Sequence, residues 1–252
     1  MKYKALMLDL DGTTVPNKID GMPSKKVTEA IAKAKDYIHI GIATGRHLEL
    51  VQPIVELLQL SGPVILLGGA QILDMQTGVY LQENIINKKD LHQLFRLLKP
   101  FNVPIYIYER NGNRRYKEGD HPNKPLTLLV DNVYESQADE IITAIADIST
   151  ISAHKLVSWS KGKMCIDISN ASSTKQHAVL EVARILDIKT EEIIGVGDGY
   201  NDFPLLMACG LKVAMGNAVP ELKAIADYIA PSVEDDGVAD VIEKFVLRQH
   251  EF

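Results

Sequence analysis

Two carboxylates stand close together at the end of an apolar run near the start of the chain. Asp9 and Asp11 follow the run Ala5-Leu6-Met7-Leu8 and precede Gly12, in the stretch LDLDGTT. A carboxylate that leaves water costs free energy unless something compensates it, and two neighbouring carboxylates repel each other. We therefore expect a bound cation or a shared proton beside this pair, and chemistry that uses it.

The elements around the pair follow an α/β order. Apolar strand-like runs alternate with helical periodicity, which predicts a parallel sheet with right-handed crossovers. The turn at Thr77-Gly78 then predicts a small hairpin that leaves this sheet. The predicted strands are Tyr3–Leu8, Ile38–Ala43 and Val64–Leu67, and the predicted helices are Val27–Lys35 and Leu48–Leu58.

The pattern changes between residues 81 and 173. Helical segments, alternating runs and hairpin turns there predict an antiparallel sheet covered by two helices, which is a separate α+β unit. The predicted helices are Lys88–Leu98 and Ser136–Asp147, the predicted strands are Val103–Glu109, Leu126–Val130, Ile151–Val157 and Met164–Ile168, and a polar turn is predicted at Asn111-Gly112-Asn113.

The βα pattern returns after this unit. The simplest fold class is therefore α/β, with a doubly wound parallel-sheet (Rossmann-like) core formed by residues 1–80 and 174–252 and an inserted α+β domain formed by residues 81–173. The predicted helices of the second core segment are Lys175–Leu186, Phe203–Ala208 and Val238–Leu247, and its predicted strands are Ile193–Val196 and Leu211–Ala214.

Polar clusters follow three of the predicted core strands. Asp9 and Asp11 follow the first strand, Thr44-Gly45-Arg46 follows the second, and the stretch GDGYND, which contains Asp198 and Asp202, follows the strand that begins at residue 193. Ligands of open parallel sheets bind at the carboxyl ends of the strands, so we expect these clusters to meet. Mg²⁺ is the cation that fits best, because it accepts carboxylates together with waters and phosphate oxygens.

Neighbouring groups could bind a phosphoryl group. Lys175 opens a predicted core helix and offers a point positive charge, and the Thr44 hydroxyl and the amides of Leu10 and Gly45 could donate hydrogen bonds. With a metal ion neutralising the acids, Asp9 would be free to attack phosphorus as a nucleophile.

These residues carry a resemblance to a known family. Taken in order, DLDGTT, ATGR, Lys175 and GVGDGYNDFPLL resemble the four motifs of the haloacid dehalogenase superfamily. The later stretch VAMGNAVPELKAIADYIAPSVEDDGVADVI resembles the Cof-type hydrolase branch, in which a cap domain is inserted after the third core strand. The unit at residues 81–173 lies at that place, and the resemblance covers both core segments well and the cap in outline.

The resemblance implies a phosphatase that works through an aspartyl-phosphate. Asp9 would be the nucleophile, and Asp11 would protonate the leaving alcohol and then activate water. Mg²⁺ would be bound by the carboxylates of Asp9 and Asp198 and the backbone carbonyl of Asp11, with Asp202 supporting it.

Further residues follow from the same resemblance. Thr44 and Lys175 would hold the phosphoryl oxygens, with Asn201 assisting. Arg46 could join them by contacting substrate, or it could pair with an acid between core and cap. The family commonly has Asn-Gly-Ala after the third strand where this chain has Gly68-Gly69-Ala70. The contribution of that Asn side chain is then missing or comes from elsewhere.

Simpler interpretations exist for several of these residues. Asp198 and Asp202 could cap a helix N-terminus, a role compatible with metal binding. The stretch GVGDGY could suggest a dinucleotide site, but Tyr200 stands where the third glycine belongs. Asn217 could approach the site or serve only in a turn. The basic run RNGNRRYKEGDH could recognise an anionic substrate or form a solvated hairpin.

Composition narrows the partners and the location. A formal net charge of −6 over 252 residues argues against nucleic acid or an anionic membrane as the main partner. Cys165 and Cys209 lie far apart without metal-ligand spacing, so neither a disulfide framework nor a zinc site is expected. No signal peptide or membrane span is indicated, so we expect a cytoplasmic protein.

The favoured function is a Mg²⁺-dependent phosphatase acting on small phosphorylated metabolites, with sugar or polyol phosphates as the expected class. The alternatives are a sugar phosphomutase of similar cap type and a phospho-acceptor or sugar-phosphate sensing domain without turnover. The sequence predicts neither the individual substrate nor the oligomeric state.

Overall fold

The computed structural model describes residues 2–110, 112–158 and 160–250. Contacts divide the chain into two compact units, one formed by Met1–Gln82 with Thr174–Phe252 and the other by Glu83–Ser173. The sequence predicts these divisions after residues 80 and 173.

The first segment of the larger unit alternates strands and helices. Helix α1 begins where the Ser24 hydroxyl accepts a hydrogen bond from the amide of Val27, and it buries the apolar stripe Val27, Ile31 and Ala34. The strands are β1 (Ala5–Leu8), β2 (His39–Ile42), β3 (Pro63–Leu66), β4 (Gln71–Asp74) and β5 (Val79–Glu83), and the helices are α1 (Lys25–Ala34) and α2 (Leu48–Leu58).

The inserted unit is an antiparallel sheet with helices packed on one face. The strands lie in the order β7-β6-β8-β10-β9, and alternate side chains such as Ile107, Leu128 and Ile166 are buried with Leu94 and Ile141 of the helices. The elements are α3 (Lys88–Leu98), β6 (Ile105–Glu109), β7 (Gly112–Arg115), β8 (Thr127–Val133), α4 (Glu135–Ile145), β9 (Ile151–Val157) and β10 (Met164–Asn170).

The second segment of the larger unit completes a parallel sheet. The strand order is β13-β12-β11-β1-β2, and every neighbouring pair is parallel. This confirms the predicted α/β class, with an α+β insertion. The elements are α5 (Lys175–Ile185), β11 (Ile193–Gly197), α6 (Phe203–Ala208), β12 (Leu211–Ala214), α7 (Pro220–Ile225), β13 (Tyr228–Ile229) and α8 (Gly237–Phe245).

Strand β1 lies between β11 and β2 inside the parallel sheet, which explains its uninterrupted apolar sequence. All four of its residues are fully buried, as expected for a parallel strand covered on both faces. Its last residue, Leu8, stands opposite Ile42 of β2 and Val196 of β11. The three strands therefore end at the same level, and the polar residues that follow them start from one edge.

The structure differs from the sequence prediction at a few elements. Strand β3 pairs antiparallel with β4 and meets the parallel sheet through a bridge between Ala43 and Ile65. The predicted polar turn at residues 111–113 lies partly outside the described residues, and β7 begins at Gly112 and pairs with β6. Helix α7 and strand β13, of six and two residues, were not predicted.

Membrane-spanning helices are absent from residues 2–110, 112–158 and 160–250, because no helix there is both long and apolar enough to cross a bilayer.

Candidate active site

The loop after β1 is held in one conformation by its own backbone. The amide of Asp9 donates to the carbonyl of Val196 (3.0 Å), so Asp9 remains fixed to β11. The Leu10 carbonyl accepts hydrogen bonds from the amides of Thr13, Thr14 and Val15 at 2.9 to 3.1 Å. The Thr14 hydroxyl donates to the Asp9 carbonyl at 2.6 Å. These bonds fix the direction of the carboxylate that ends the strand.

Lys175 neutralises Asp9 from the start of α5. The Nζ of Lys175 donates to Oδ1 of Asp9 and to Oδ1 of Asp202, each at 2.6 Å. The three side chains are 2%, 5% and 0% exposed respectively. Thr174, whose hydroxyl accepts from the amide of His177, caps the helix and sets its first residue in place. Lys175 is therefore a buried cation shared by two buried carboxylates.

Asp202 also closes the loop that follows β11. Its Oδ2 accepts hydrogen bonds from the amides of Asp198 and Gly199, both at 2.9 Å. The capping interpretation thus describes the bonds that Asp202 makes, while its other oxygen contacts Lys175 beside Asp9. Both roles coexist in one carboxylate.

Asp198 is held through both of its oxygens. The Thr13 hydroxyl donates to Oδ1 (3.1 Å), and the Asn217 amide nitrogen donates to Oδ2 (3.2 Å) and to the Gly12 carbonyl (2.8 Å). Asn217 itself accepts from the amide of Val233 at 2.9 Å. The sequence left the role of Asn217 open, and it did not single out Thr13, because side-chain direction within a turn has no sequence signal.

Gly12 is required where the loops after β1 and β11 approach each other. Its φ of +78° lies in the left-handed region, and a Cβ at this position would lie 2.2 Å from Oδ2 of Asp198. A larger residue would push the two loops apart.

Burial and mutual repulsion disfavour the ionised forms of Asp9 and Asp198. Burial, and then the neighbouring Asp202, raise the pKa of Asp9 well above its usual value, against the opposing effect of Lys175. The same two causes raise the pKa of Asp198 to about 6. Burial would lower the pKa of Lys175, but the carboxylates of Asp202 and Asp9 outweigh it and the pKa is raised. One cation therefore faces an excess of negative groups.

A divalent metal ion would balance this excess of negative groups. Carboxylate oxygens of Asp9, Asp198 and Asp202 all lie within 4.8 Å of one another. The donors are all oxygen, which suits a hard dication, and a second positive centre would favour the ionised acids. The carboxylates of these three residues could hold the metal, and the expected contribution of the Asp11 backbone carbonyl remains a prediction.

The loop after β2 borders open space beside a fixed hydroxyl. Thr44 is buried, its amide donates to the Ile65 carbonyl (3.0 Å), and its Oγ1 accepts from the amide of Arg46 (3.1 Å). Gly45 is exposed, and a Cβ built on it would meet nothing within 4 Å. The predicted phosphate-binding role of Thr44 and Gly45 remains a prediction.

The other predicted phosphate ligands differ in their burial and in their hydrogen-bond partners. Arg46 does not point a free guanidinium at this edge but pairs with Asp11 of the same unit, at 2.6 and 2.8 Å. Leu10 is fully buried, and its carbonyl is occupied by the amides of the loop after β1. Asn201 is exposed on the turn Tyr200–Asp202. For Leu10 and Asn201, binding of phosphate also remains a prediction.

Comparisons with known proteins agree with this arrangement. The sequence profile of the haloacid dehalogenase-like hydrolases matches residues 6–136 and 114–242. A putative phosphatase of Streptococcus pyogenes is 27% identical, over 98% of this chain and 100% of its own. A 5-amino-6-(5-phospho-D-ribitylamino)uracil phosphatase of Bacillus subtilis is 27% identical, over 97% of this chain and 96% of its own.

A solved structure shows the same fold along almost the whole chain. It is a phosphatase of the haloalkanoate superfamily from Bacteroides thetaiotaomicron, which superposes with a TM-score of 0.82 at 23% identity and covers 96% of this chain and 94% of its own. The family match, the relatives and the acid cluster at the sheet edge agree. The chain belongs to the haloacid dehalogenase-like hydrolases, in their Cof-type branch, and is a phosphatase that hydrolyses phosphoric monoesters.

Proposed function

We propose that this phosphatase is Mg²⁺-dependent and transfers the phosphoryl group of a sugar or polyol phosphate first to Asp9 and then to water. The observation that carries the proposal is the state of Asp9. Its carboxylate is buried at the carboxyl end of strand β1, one oxygen is bonded to Lys175, and two further acids lie close by. A buried carboxylate in such a setting is a functional candidate rather than a packing residue.

The proposed chemistry has two steps. In the first, an oxygen of Asp9 forms a bond to phosphorus while the bond from phosphorus to the leaving oxygen breaks, and the Asp11 carboxyl gives its proton to that oxygen. In the second, Asp11 takes a proton from water, whose oxygen attacks phosphorus and releases orthophosphate and free Asp9. A resident Mg²⁺ would withdraw charge from the phosphoryl oxygens when bound.

Other residues would hold the phosphoryl group during both steps. Lys175 supplies a buried positive charge at the nucleophile, and the neighbouring loop carries the buried Thr44 beside Gly45, which borders open space. Asn201 and the Leu10 amide complete the proposed set. Asp198 would be the main protein ligand of the metal besides Asp9, because Thr13 and Asn217 fix the orientation of its carboxylate.

The inserted unit Glu83–Ser173 is proposed to be the cap that selects the leaving group. Its second junction, after Ser173, comes one residue before the cap residue Thr174 of the helix that carries Lys175. The chain is thus continuous from this unit into the helix that fixes the nucleophile's counterion. Sugar or polyol phosphates are the expected class because an alkoxide leaving group needs the proton that Asp11 would provide.

The test combines one variant, one control and one chelation experiment. Asp9→Asn should abolish orthophosphate release from p-nitrophenyl phosphate and from sugar phosphates, because an amide cannot form the phosphoryl bond. Asp36→Asn makes the same change at an exposed position and should match the wild type. EDTA should remove activity and Mg²⁺ should restore it. Turnover by Asp9→Asn, or full activity after exhaustive chelation, would refute the proposal.

Product analysis separates hydrolysis from the alternatives. A phosphomutase would convert one sugar phosphate isomer into another without net release of orthophosphate. A phospho-acceptor or sensing domain would release at most one equivalent. Many turnovers of orthophosphate release with no isomer formation is the expected result.

A further inference from the structure

Arg46 is almost completely buried and uses all three of its guanidinium nitrogens. Nε donates to Oδ2 of Asp11 (2.8 Å) and Nη2 to Oδ1 of Asp11 (2.6 Å), which is a two-point pairing of one guanidinium with one carboxylate. Nη2 also donates to the Lys18 carbonyl (2.8 Å), and Nη1 donates to the Ile19 carbonyl (3.2 Å). The side chain is only 3% exposed.

The backbone of Arg46 is held as firmly as its side chain. Its amide donates to the Thr44 hydroxyl at 3.1 Å, and its carbonyl accepts from the amide of Leu67 at 3.1 Å. The residue therefore ties the loop after β2 to the turn after β3 and, through its side chain, to the loop after β1. A guanidinium fixed at so many points cannot turn toward a phosphoryl group without breaking several of these bonds.

Asp11 is the more exposed side of the pair. Its side chain is 27% exposed, and both oxygens face the guanidinium. Asp9, two residues earlier, contacts Lys175 instead, so the two acids have separate cations. Separate cations allow the two carboxylates to be oriented independently.

We propose that Arg46 is a positioning residue for Asp11, and that it does not bind the transferred phosphoryl group. It would fix the orientation of the Asp11 carboxyl through the two-point pairing, while the Lys18 and Ile19 carbonyls hold the guanidinium. This inference rests on the proposed function, because it assumes that Asp11 exchanges a proton with the leaving oxygen and then with water. Arg46 would affect only this proton exchange of Asp11.

The inference predicts a dependence on the leaving group. An alkoxide needs the proton of Asp11, whereas p-nitrophenolate is stable as an anion and needs it much less. General acid–base assistance is typically worth about 10²–10⁴-fold in rate. Removing the guanidinium should cost roughly ten- to a hundredfold of kcat/KM with an alkyl phosphate, and only a few-fold with p-nitrophenyl phosphate, as a part of that assistance.

The experiment measures kcat/KM for both substrates in Arg46→Met, Arg46→Lys, Asp11→Asn and the double variants. If Arg46 acts through Asp11, the alkyl-specific loss in Arg46→Met should largely vanish in the Asp11→Asn background, because the group it positions is already gone. Arg46→Lys should resemble Arg46→Met, since an ammonium cannot make the two-point pairing. Inorganic phosphate should inhibit all variants competitively with an unchanged inhibition constant.

A surface pair supplies the control. Arg184 makes the same two-point pairing with Glu181, at 2.6 and 2.9 Å, but its side chain is 72% exposed. Arg184→Met should leave both kcat/KM values unchanged. Circular dichroism and thermal unfolding establish whether each variant is folded. If Arg46→Met does not fold, Arg46→Lys replaces it in the comparison with Asp11→Asn.

Several outcomes would overturn the inference. Equal losses with both substrates, losses that multiply in the double variant, or weaker inhibition by inorganic phosphate would each make Arg46 a phosphate ligand. Failure of the wild type to turn over, or turnover by Asp9→Asn, would instead refute the proposed function itself. The two failures are therefore distinguishable.

Discussion

Replacing Lys175 with methionine should destabilise the metal-free protein more than the loss of an ordinary ion pair. Lys175 is the cation that contacts both Asp9 and Asp202, and the three side chains are at most 5% exposed. Removing one partner of a buried pair typically costs about 3–5 kcal/mol, because an uncompensated charge stays buried. Two carboxylates lose their partner here, so we expect a value toward the upper end of that range at neutral pH.

Protonation should recover part of the loss in Lys175→Met. The pKa of Asp9 is already raised by burial and by Asp202, and Lys175 is the group that opposes this rise. Without Lys175 the folded protein binds an extra proton at a pH where the unfolded chain does not. Stability contributed by such a group is present at low pH and is lost as the pH rises through the folded pKa. The deficit should therefore be smaller at pH 5 than at pH 8.

Mg²⁺ should recover another part, because a dication replaces the missing positive charge. Ligand at 100 times its dissociation constant adds about 2.7 kcal/mol to a folded state that alone binds it. Urea unfolding followed by circular dichroism, with EDTA or with Mg²⁺ at two pH values, measures each contribution. The control is Lys212→Met, whose pair with Asp227 at 3.7 Å is 27% and 48% exposed and should be worth less than about 1 kcal/mol. A loss in Lys175→Met as small as in this control, unaffected by pH, would refute the reasoning.

Two further predictions concern Asp198 and the turn beside Lys175. The pKa of Asp198 is raised by burial and by Asp202 from its usual 3.8 to about 6 in the folded protein, so the stability that it contributes should fall as the pH rises from about 4 to 6. A difference of about two pH units corresponds to roughly 3 kcal/mol of unfolding free energy. Both Mg²⁺ and Asp198→Asn should flatten the dependence of the unfolding free energy on pH, measured by urea unfolding. An unchanged slope in Asp198→Asn would contradict this prediction. Gly69→Ala should lower the unfolding free energy by about 1–3 kcal/mol in the same assay, because φ is +112° and the added Cβ would lie 2.4 Å from the Thr174 carbonyl oxygen. Gly45→Ala is the control and should leave stability unchanged, because its added Cβ would meet nothing within 4 Å. A Gly69→Ala variant as stable as Gly45→Ala would show that the turn can relax.

The elements that sequence could predict are those with a clear period and a local end signal. Helix α3 spans Lys88–Leu98 in both prediction and structure, and Asn87 caps it by accepting from the amide of Asp90 at 3.0 Å. Strand β7, Gly112–Arg115, has no apolar alternation of its own, and its pairing with β6 supplies the strand conformation. A strand of that kind depends on a partner that local sequence does not show.

The site was predictable as far as the sheet determines it. Strands that end in register bring Asp9 and the loop with Asp198 to one edge, and this follows from strand order alone. The pairing of Arg46 with Asp11 was not predictable, because it depends on which way two side chains point across neighbouring loops. The hydrogen bond from the Thr13 hydroxyl to Asp198 was unpredictable for the same reason. The sequence therefore predicts which residues lie at this edge of the sheet, whereas their hydrogen-bond partners depend on side-chain directions that the sequence does not show.

The turn after β3 shows why a departure from the family pattern can leave the site intact. Gly68, which stands where the family commonly has Asn, has φ +64° and ψ 10°, a left-handed conformation that glycine adopts freely and that Asn adopts more easily than most residues. Its amide donates to the Thr44 carbonyl at 2.9 Å. Gly69, the next residue, lies against the Thr174 backbone, directly before Lys175. The backbone of this turn thus lies between the loop of Thr44 and the helix of Lys175, and the bond from position 68 to Thr44 needs only an amide, which glycine and Asn both supply.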